Sequence, residues 1–150
     1  MKGAIKEHDI TVLRHLRQNA RQSLASISLK AKMPASTVFK SVRRLEKNVI
    51  KKYAASVDYN KLGYSIRVMV ALRADDRAAL REFLKAEPSV NTVLKVSGEY
   101  EFLAEALFGN MLAFNDFMEK LSSHAGLRKD MYYLIDEMKK EAFDRFELQK

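Results

Sequence analysis

Read at helical spacing, the stretch Pro34 to Lys47 divides into two faces: Val38, Phe39, Val42 and Leu45 on one, and Ser36, Thr37, Lys40, Ser41, Arg43, Arg44 and Lys47 on the other. The first face is built to pack. The second carries the cations and short hydroxyls that let a helix approach a DNA groove and reach phosphates and base edges. Two shorter amphipathic segments precede it. One begins near Asp9, a residue suited to an N-cap, turns Ile10, Leu13 and Leu16 inward and ends at Asn19. The other is capped by Ser23 with Leu24, Ile27 and Ala31 inward, and Pro34 opens the third helix, where its missing N–H costs little. Asn48 suits a left-handed helix end, and the β-rich run Val49 to Val57 reads as a short strand pair. Three helices and such a wing predict a winged helix-turn-helix in which Lys51 and Lys52 hold phosphates.

From Tyr64 the period changes to two: Ile66, Val68, Val70 and Leu72 alternate with Arg67, Met69, Ala71 and Arg73, the pattern of a strand. A helix capped by Asp75 follows, with Ala79, Leu80, Phe83 and Leu84 inward and Pro88 preventing its continuation. A strand around Thr92 to Ser97, a Gly98-Glu99 turn and a strand from Tyr100 to Phe108 lead to a helix with Met111, Phe114, Phe117, Met118 and Leu121 inward. A last strand runs from Leu127 to Met138. The order strand, helix, strand, strand, helix, strand predicts a ferredoxin-like βαββαβ sandwich, making the chain α+β. The turn chemistry of Asp58 to Gly63 places the boundary between a helix-turn-helix domain at 1–60 and a second domain at 61–150.

The sheet face turned away from the helices carries Met69, Ala71, Leu103, Leu107 and Tyr132, Leu134 and Met138 beside the alternates Met131, Tyr133 and Ile135. Left in water it would be an aggregation liability, so a second subunit is expected to cover it. A homodimer also presents two recognition helices to the half-sites of a palindrome in double-stranded DNA.

Charge sharpens this picture. Residues 1–60 hold 13 Lys and Arg against 4 Asp and Glu, whereas 61–150 hold 14 against 15, so the net +8 belongs to one half. A basic lobe joined to a neutral one points to electrostatic docking plus a second task. No run of about 18 apolar residues and no apolar signal core are present, which predicts a cytoplasmic protein with no membrane partner. The absence of cysteine excludes disulfides and thiol catalysis, and His8, His15 and His124 are too dispersed to form a metal site, so no metal or cofactor is expected. Glu101 and Glu105 share one strand face, as a carboxylate pair for acid–base work or, more commonly, as rim charges; no catalytic residue is assigned. Gly98-Glu99-Tyr100 reads as a hairpin turn or as an effector-binding loop. Phe143 and Phe146 imply packing against a partner or an extra helix.

These residues resemble the Lrp/AsnC family, the feast/famine transcription regulators. The matching positions are Asp9-Ile10 with Leu13 and Leu16, Asn19-Ala20-Arg21, Ser36-Thr37-Val38, Val42-Arg43-Arg44-Leu45-Glu46, Val49-Ile50, Tyr53, Val57-Asp58 and Leu62-Gly63-Tyr64. Val93, Val96, Gly98, Tyr100 and Ala125-Gly126 match in the second half. The resemblance implies an effector-binding and oligomerising second domain, dimers that assemble further into octamers, and regulation by an amino acid or related metabolite at Gly98, Glu99, Tyr100 and Glu101. The chain departs from the family at Lys32, where glycine is frequent and a left-handed lysine costs about 1 kcal/mol. It departs again at Glu101 in place of Asp, and at Met131 or Tyr132 in place of Thr. Three functional classes follow: a sequence-specific transcription regulator, an architectural protein that coats DNA, and a siroheme-decarboxylase-like enzyme, against which stand a sandwich with a single His and the cations kept on the recognition face.

Overall fold

The three amphipathic segments form α1 (Glu7–Gln18), α2 (Leu24–Ala31) and α3 (Ala35–Asn48) in a computed structural model that describes residues 4–143, 145 and 146. Val12, Leu13, Leu16, Ile27, Val38 and Leu45 close a small core between them. Ser23 caps α2 as expected, its hydroxyl accepting from the Ser26 N–H at 3.1 Å. Asp9 is not the N-cap of α1. Lys6 occupies that position, and Asp9 sits one turn in, accepting the Lys6 N–H at 2.8 Å. Lys32 ends α2 in the left-handed conformation at φ 52° and ψ 43°, carrying the steric cost that a glycine would avoid. Asn48 remains helical rather than left-handed, donating its side-chain amide to the Arg44 carbonyl at 2.8 Å.

No strand pair forms in 49–57: the segment after α3 is irregular, and Lys51 to Val57 is exposed throughout. The wing expected there is corrected to an irregular connection, because 49–57 finds no strand to pair with and only Ile50 packs against the helical core. By contrast, residues 139–146 return to α1. Arg17 donates to the Glu141 carboxylate at 2.5 Å and to its carbonyl at 2.6 Å, Arg14 donates to the Phe146 carbonyl at 3.0 Å, and Phe146 packs against the helical core. Phe143 meets Phe146 edge to face at 5.5 Å, and neither lies in an added helix; Phe143 remains exposed while Phe146 is drawn to the helical core. The described parts of Met1–Ser56 and Lys139–Lys150 thus make one compact unit, and Val57–Met138 makes the other.

The second unit contains β1 (Ile66–Arg73), α4 (Arg77–Ala86), β2 (Val90–Lys95), β3 (Phe102–Phe108), α5 (Met111–Ser122) and β4 (Arg128–Tyr133). The antiparallel sheet runs β2-β3-β1-β4, the arrangement of a ferredoxin-like sandwich. Asp76, one residue beyond the expected Asp75, caps α4 by accepting from the Ala78 and Ala79 N–H groups. β4 stops at Tyr133 instead of Met138, and Ile135 and Met138 beyond it are almost fully exposed.

Val68, Val70 and Leu72 project from β1 to the helices, meeting Leu80 and Leu84 of α4 and Phe114, Phe117 and Leu121 of α5. The small Ala104 and Ala106 on central β3 make room for this second layer, with Phe102 and Phe108 at the ends of the strand. Phe117 is the hub of an aromatic cluster, 5.3 Å from Phe108 and 6.1 Å from Phe83. Met111 and Ala79 lie at the exposed edge rather than in the stripe. Phe117→Ala would leave a cavity no neighbouring aromatic can fill, and a loss of about 3–5 kcal/mol is expected in urea denaturation.

Candidate nucleic-acid interface and effector cleft

The orientation of α3 decides which side chains can meet a ligand. Its buried stripe is Val38, Ser41 and Leu45 with half-buried Val42, so the opposite face presents Ser36, Lys40, Arg43 and Lys47. Thr37 lies at the margin. Phe39, expected to pack, is 51% exposed, and the Arg43 guanidinium sits 5.9 Å from its ring centre. Pro34 supplies no side-chain cap, so the first N–H groups of α3 stay open to solvent or to an anion. Lys51 and Lys52 are exposed on the irregular connection.

Two residues expected on this cationic face are turned away from it. Ser41 is fully buried in the helical core, and Arg44 reaches sideways to α1, where its Nη1 donates to both oxygens of Asp9 at 2.8 and 2.6 Å. Both are therefore corrected to structural positions: Ser41 sits within the packing stripe, and Arg44 answers a carboxylate with no solvent exposure. The signal in the sequence was Asp9 itself, an acid among the apolar positions of the first helix. Burial pushes the Asp9 carboxyl up, but the Lys6 N–H and the Arg44 guanidinium outweigh it and hold the group below its usual value.

In the second unit, the turn between β2 and β3 is tied down by Val96 N–H to the Glu101 carbonyl and by Glu101 N–H to the Leu72 carbonyl, each at 2.9 Å. Gly98 takes φ 134° within it, a conformation that side chains disfavour. Of the residues around this turn, Glu99 pairs with Arg128 at 3.1 Å and Glu101 with Arg77 at 2.8 Å. The Tyr100 phenol, hydrogen-bonded to the Asp130 carboxylate, is pushed up to about 12. Beside the turn opens a cleft of about 360 Å³. Gly98, Tyr100 and Glu101 line it; Glu99 does not. Its other walls include Arg77 and Arg81 from the start of α4 and Lys95 at the end of β2, three cations that pattern reading missed. The spacing of Arg77 and Arg81, four residues apart behind a capping Asp, was the available signal.

The face of the sheet opposite the helices was expected to be apolar. It carries Met69, Ala71, Leu103, Leu107, Leu94 and Tyr132, but Arg67 and Glu105 cross its middle. Arg67 Nε donates to Glu105 Oε1 at 2.6 Å, its Nη2 reaches Glu137 at 2.7 Å, and Asn91 and Thr92 bond the other Glu105 oxygen at 2.7 and 3.2 Å. Burial opposes ionisation of Glu105, yet Asn91 and Arg67 keep its pKa lowered. Glu101 and Glu105 are thus held by different arginines rather than acting as a pair. His124 directs Nδ1 to the Leu121 carbonyl at 3.0 Å and meets the Phe83 ring at a tilt, with ring centres 4.9 Å apart. Among the described residues no cluster of three potential metal ligands exists, and no helix is long and apolar enough to cross a membrane.

Known proteins resemble the chain over most of its length. Residues 5–48 match a winged helix-turn-helix DNA-binding family, and residues 65–141 match the Lrp/AsnC ligand binding domain. An uncharacterised HTH-type transcriptional regulator of Pyrococcus furiosus is 30% identical over 125 residues, covering 79% of this chain and 80% of its own. The HTH-type transcriptional regulator FL11 of Pyrococcus horikoshii is 26% identical, covering 85% of this chain and 86% of its own. The fold is shared with E. coli AsnC, at TM-score 0.82 and 15% identity over 94% of this chain and 99% of that one. It is shared too with a Mycobacterium tuberculosis feast or famine regulatory protein complexed with L-methionine, at TM-score 0.84 and 21% identity over 93% and 98%.

Replacing Arg44 by Ala would strand the Asp9 carboxylate without its cation. A loss of about 3–5 kcal/mol is expected at neutral pH. The sign with pH follows from the lowered Asp9 pKa. In the wild type its contribution is complete above the unfolded value of about 4 and is lost as the pH falls through the lower folded value. Acid protonates the stranded carboxyl of the variant and relieves its penalty, so urea denaturation at pH 7 and pH 3.5 should show the gap between variant and wild type narrowing in acid.

Proposed function

Because this chain belongs to the Lrp/AsnC family and is a transcription regulator with a DNA-binding helix-turn-helix and a ligand-binding domain, we propose that it reads specific DNA sites with the exposed face of α3 as a cytoplasmic homodimer modulated by an amino acid. The observation that carries this reading is the exposed row Ser36, Lys40, Arg43 and Lys47 on a helix whose other face packs Val38, Ser41 and Leu45 into the core. Thr37 at the margin and Lys51 and Lys52 on the connection extend the cationic surface to flanking phosphates. The dimer rests on the sheet face, where Leu94 and Tyr132, the latter 58% exposed, flank an ion pair that is already neutralised. The amino acid is placed in the cleft beside Gly98, Tyr100 and Glu101, with Glu99 acting only at its rim. The same residues support a binding protein rather than a catalyst, since Glu101, Glu105 and His124 each already serve a structural partner.

Binding to the preferred and a scrambled duplex over a salt series tests the DNA reading. Arg43→Ala should cost about 1–3 kcal/mol on the preferred site and relax selectivity there, whereas Lys47→Ala should weaken both duplexes alike and reduce the salt slope by about 1 per subunit. Equal losses on both duplexes for every substitution would identify a protein that coats DNA without reading it. Sedimentation tests the assembly: Tyr132→Asp should convert the dimer to monomer at micromolar concentration, and an unchanged dimer would place the interface elsewhere.

A further inference from the structure

The cleft beside the β2–β3 turn has an unusual charge count. Arg77 and Arg81 stand one helical turn apart on the same face of α4, and Lys95 is carried on the helix side of the sheet because it pairs with the buried Phe102. Against these three cations the lining holds one carboxylate, Glu101. Arg77 Nε meets Glu101 Oε1 at 2.8 Å and Arg81 Nε meets Glu82 Oε1 at 2.9 Å, whereas among the described residues no ion pair engages the Lys95 ammonium. The apolar wall, made of Ala78, Val96, the Tyr100 ring and Phe102, is at least as extensive as the polar one, so what sets this cleft apart is its excess of cations.

We infer that this cleft takes an acidic amino acid, a ligand with two carboxylates and one ammonium. Arg81 and Lys95 receive the two carboxylates with Arg77 between, and Glu101 Oε2 accepts the ammonium. A neutral amino acid brings one carboxylate and answers only one of the cations, leaving the others unmatched. The Arg77 and Arg81 side chains are 65% and 54% exposed, so discrimination arises from the number of charges met rather than from burial, and it weakens with salt. The inference rests on the cleft being the effector site.

Isothermal titration of the full chain with L-glutamate, L-aspartate, L-methionine and glutarate separates the two. At low salt an acidic amino acid is expected to bind about tenfold tighter than methionine, with the advantage shrinking towards 0.5 M salt. Lys95→Ala and Arg81→Gln, both at exposed positions, should remove that advantage, and Glu101→Gln should lower glutamate to the level of glutarate. Methionine binding as tightly as both acids overturns the inference and leaves the amino-acid sensor standing. Glutarate equal to glutamate in the wild type overturns it as well, as does glutamate binding unaffected by Lys95→Ala and Arg81→Gln. If none of the four binds, both readings fall.

Discussion

A carboxylate with no access to water stays charged only where the protein supplies what water would have given, and that requirement at Asp9 sets the geometry of the DNA-binding unit. One partner is local, the Lys6 N–H that opens α1; the other is distant, the Arg44 guanidinium from α3. Because Arg44 must reach Asp9, α3 can present only one face outward. The row Ser36, Lys40, Arg43 and Lys47 lies opposite the packed stripe as a result, and Phe39 is carried out with it to support Arg43. An arginine that looks like a reader of bases thereby positions the residues that do face outward.

The sandwich solves a similar problem on its open face. Glu105 lies on the central strand β3, where a lone charge would be intolerable, and it is matched by Arg67 across the β1–β3 ladder and by Asn91 and Thr92 from β2. A face patterned this way offers apolar area for association together with a fixed polar landmark. Polar groups inside an interface supply register more dependably than they supply affinity. Because Arg67, Asn91 and Thr92 answer Glu105 within the chain, the face carries this charge without leaving it unpaired.

Much of this was legible in the pattern of residues. Alternation of Val68, Val70 and Leu72, the helical stripes of α4 and α5 and the Ser23 cap needed only period and propensity, and the fold followed from the order of elements. What escaped was nonlocal. Helical period alone does not tell Phe39 from Ser41 as the buried neighbour of Val38, because the choice is made by the bond from Arg44 to Asp9, 35 residues away. The wing was inferred from β propensity at 49–57, but a strand exists only where another can pair with it. The cleft cations come from separate elements, Arg77 and Arg81 on a helix and Lys95 on a strand, and only the turn at Gly98 brings them together.

The return of residues 139–146 to α1 makes the helical unit discontinuous in the chain, with hydrogen bonds spanning 124 and 132 residues. During synthesis the three helices are complete long before Glu141 and Phe146 have been made, and everything in 57–138 must be translated in between. The wall that Phe146 adds to the helical core is consequently the latest to arrive, and closing it bears the entropy of a very long loop unless the intervening sandwich has already shortened that loop by folding. The helical unit is thereby the part of the chain whose last wall cannot close until 57–138 has been made.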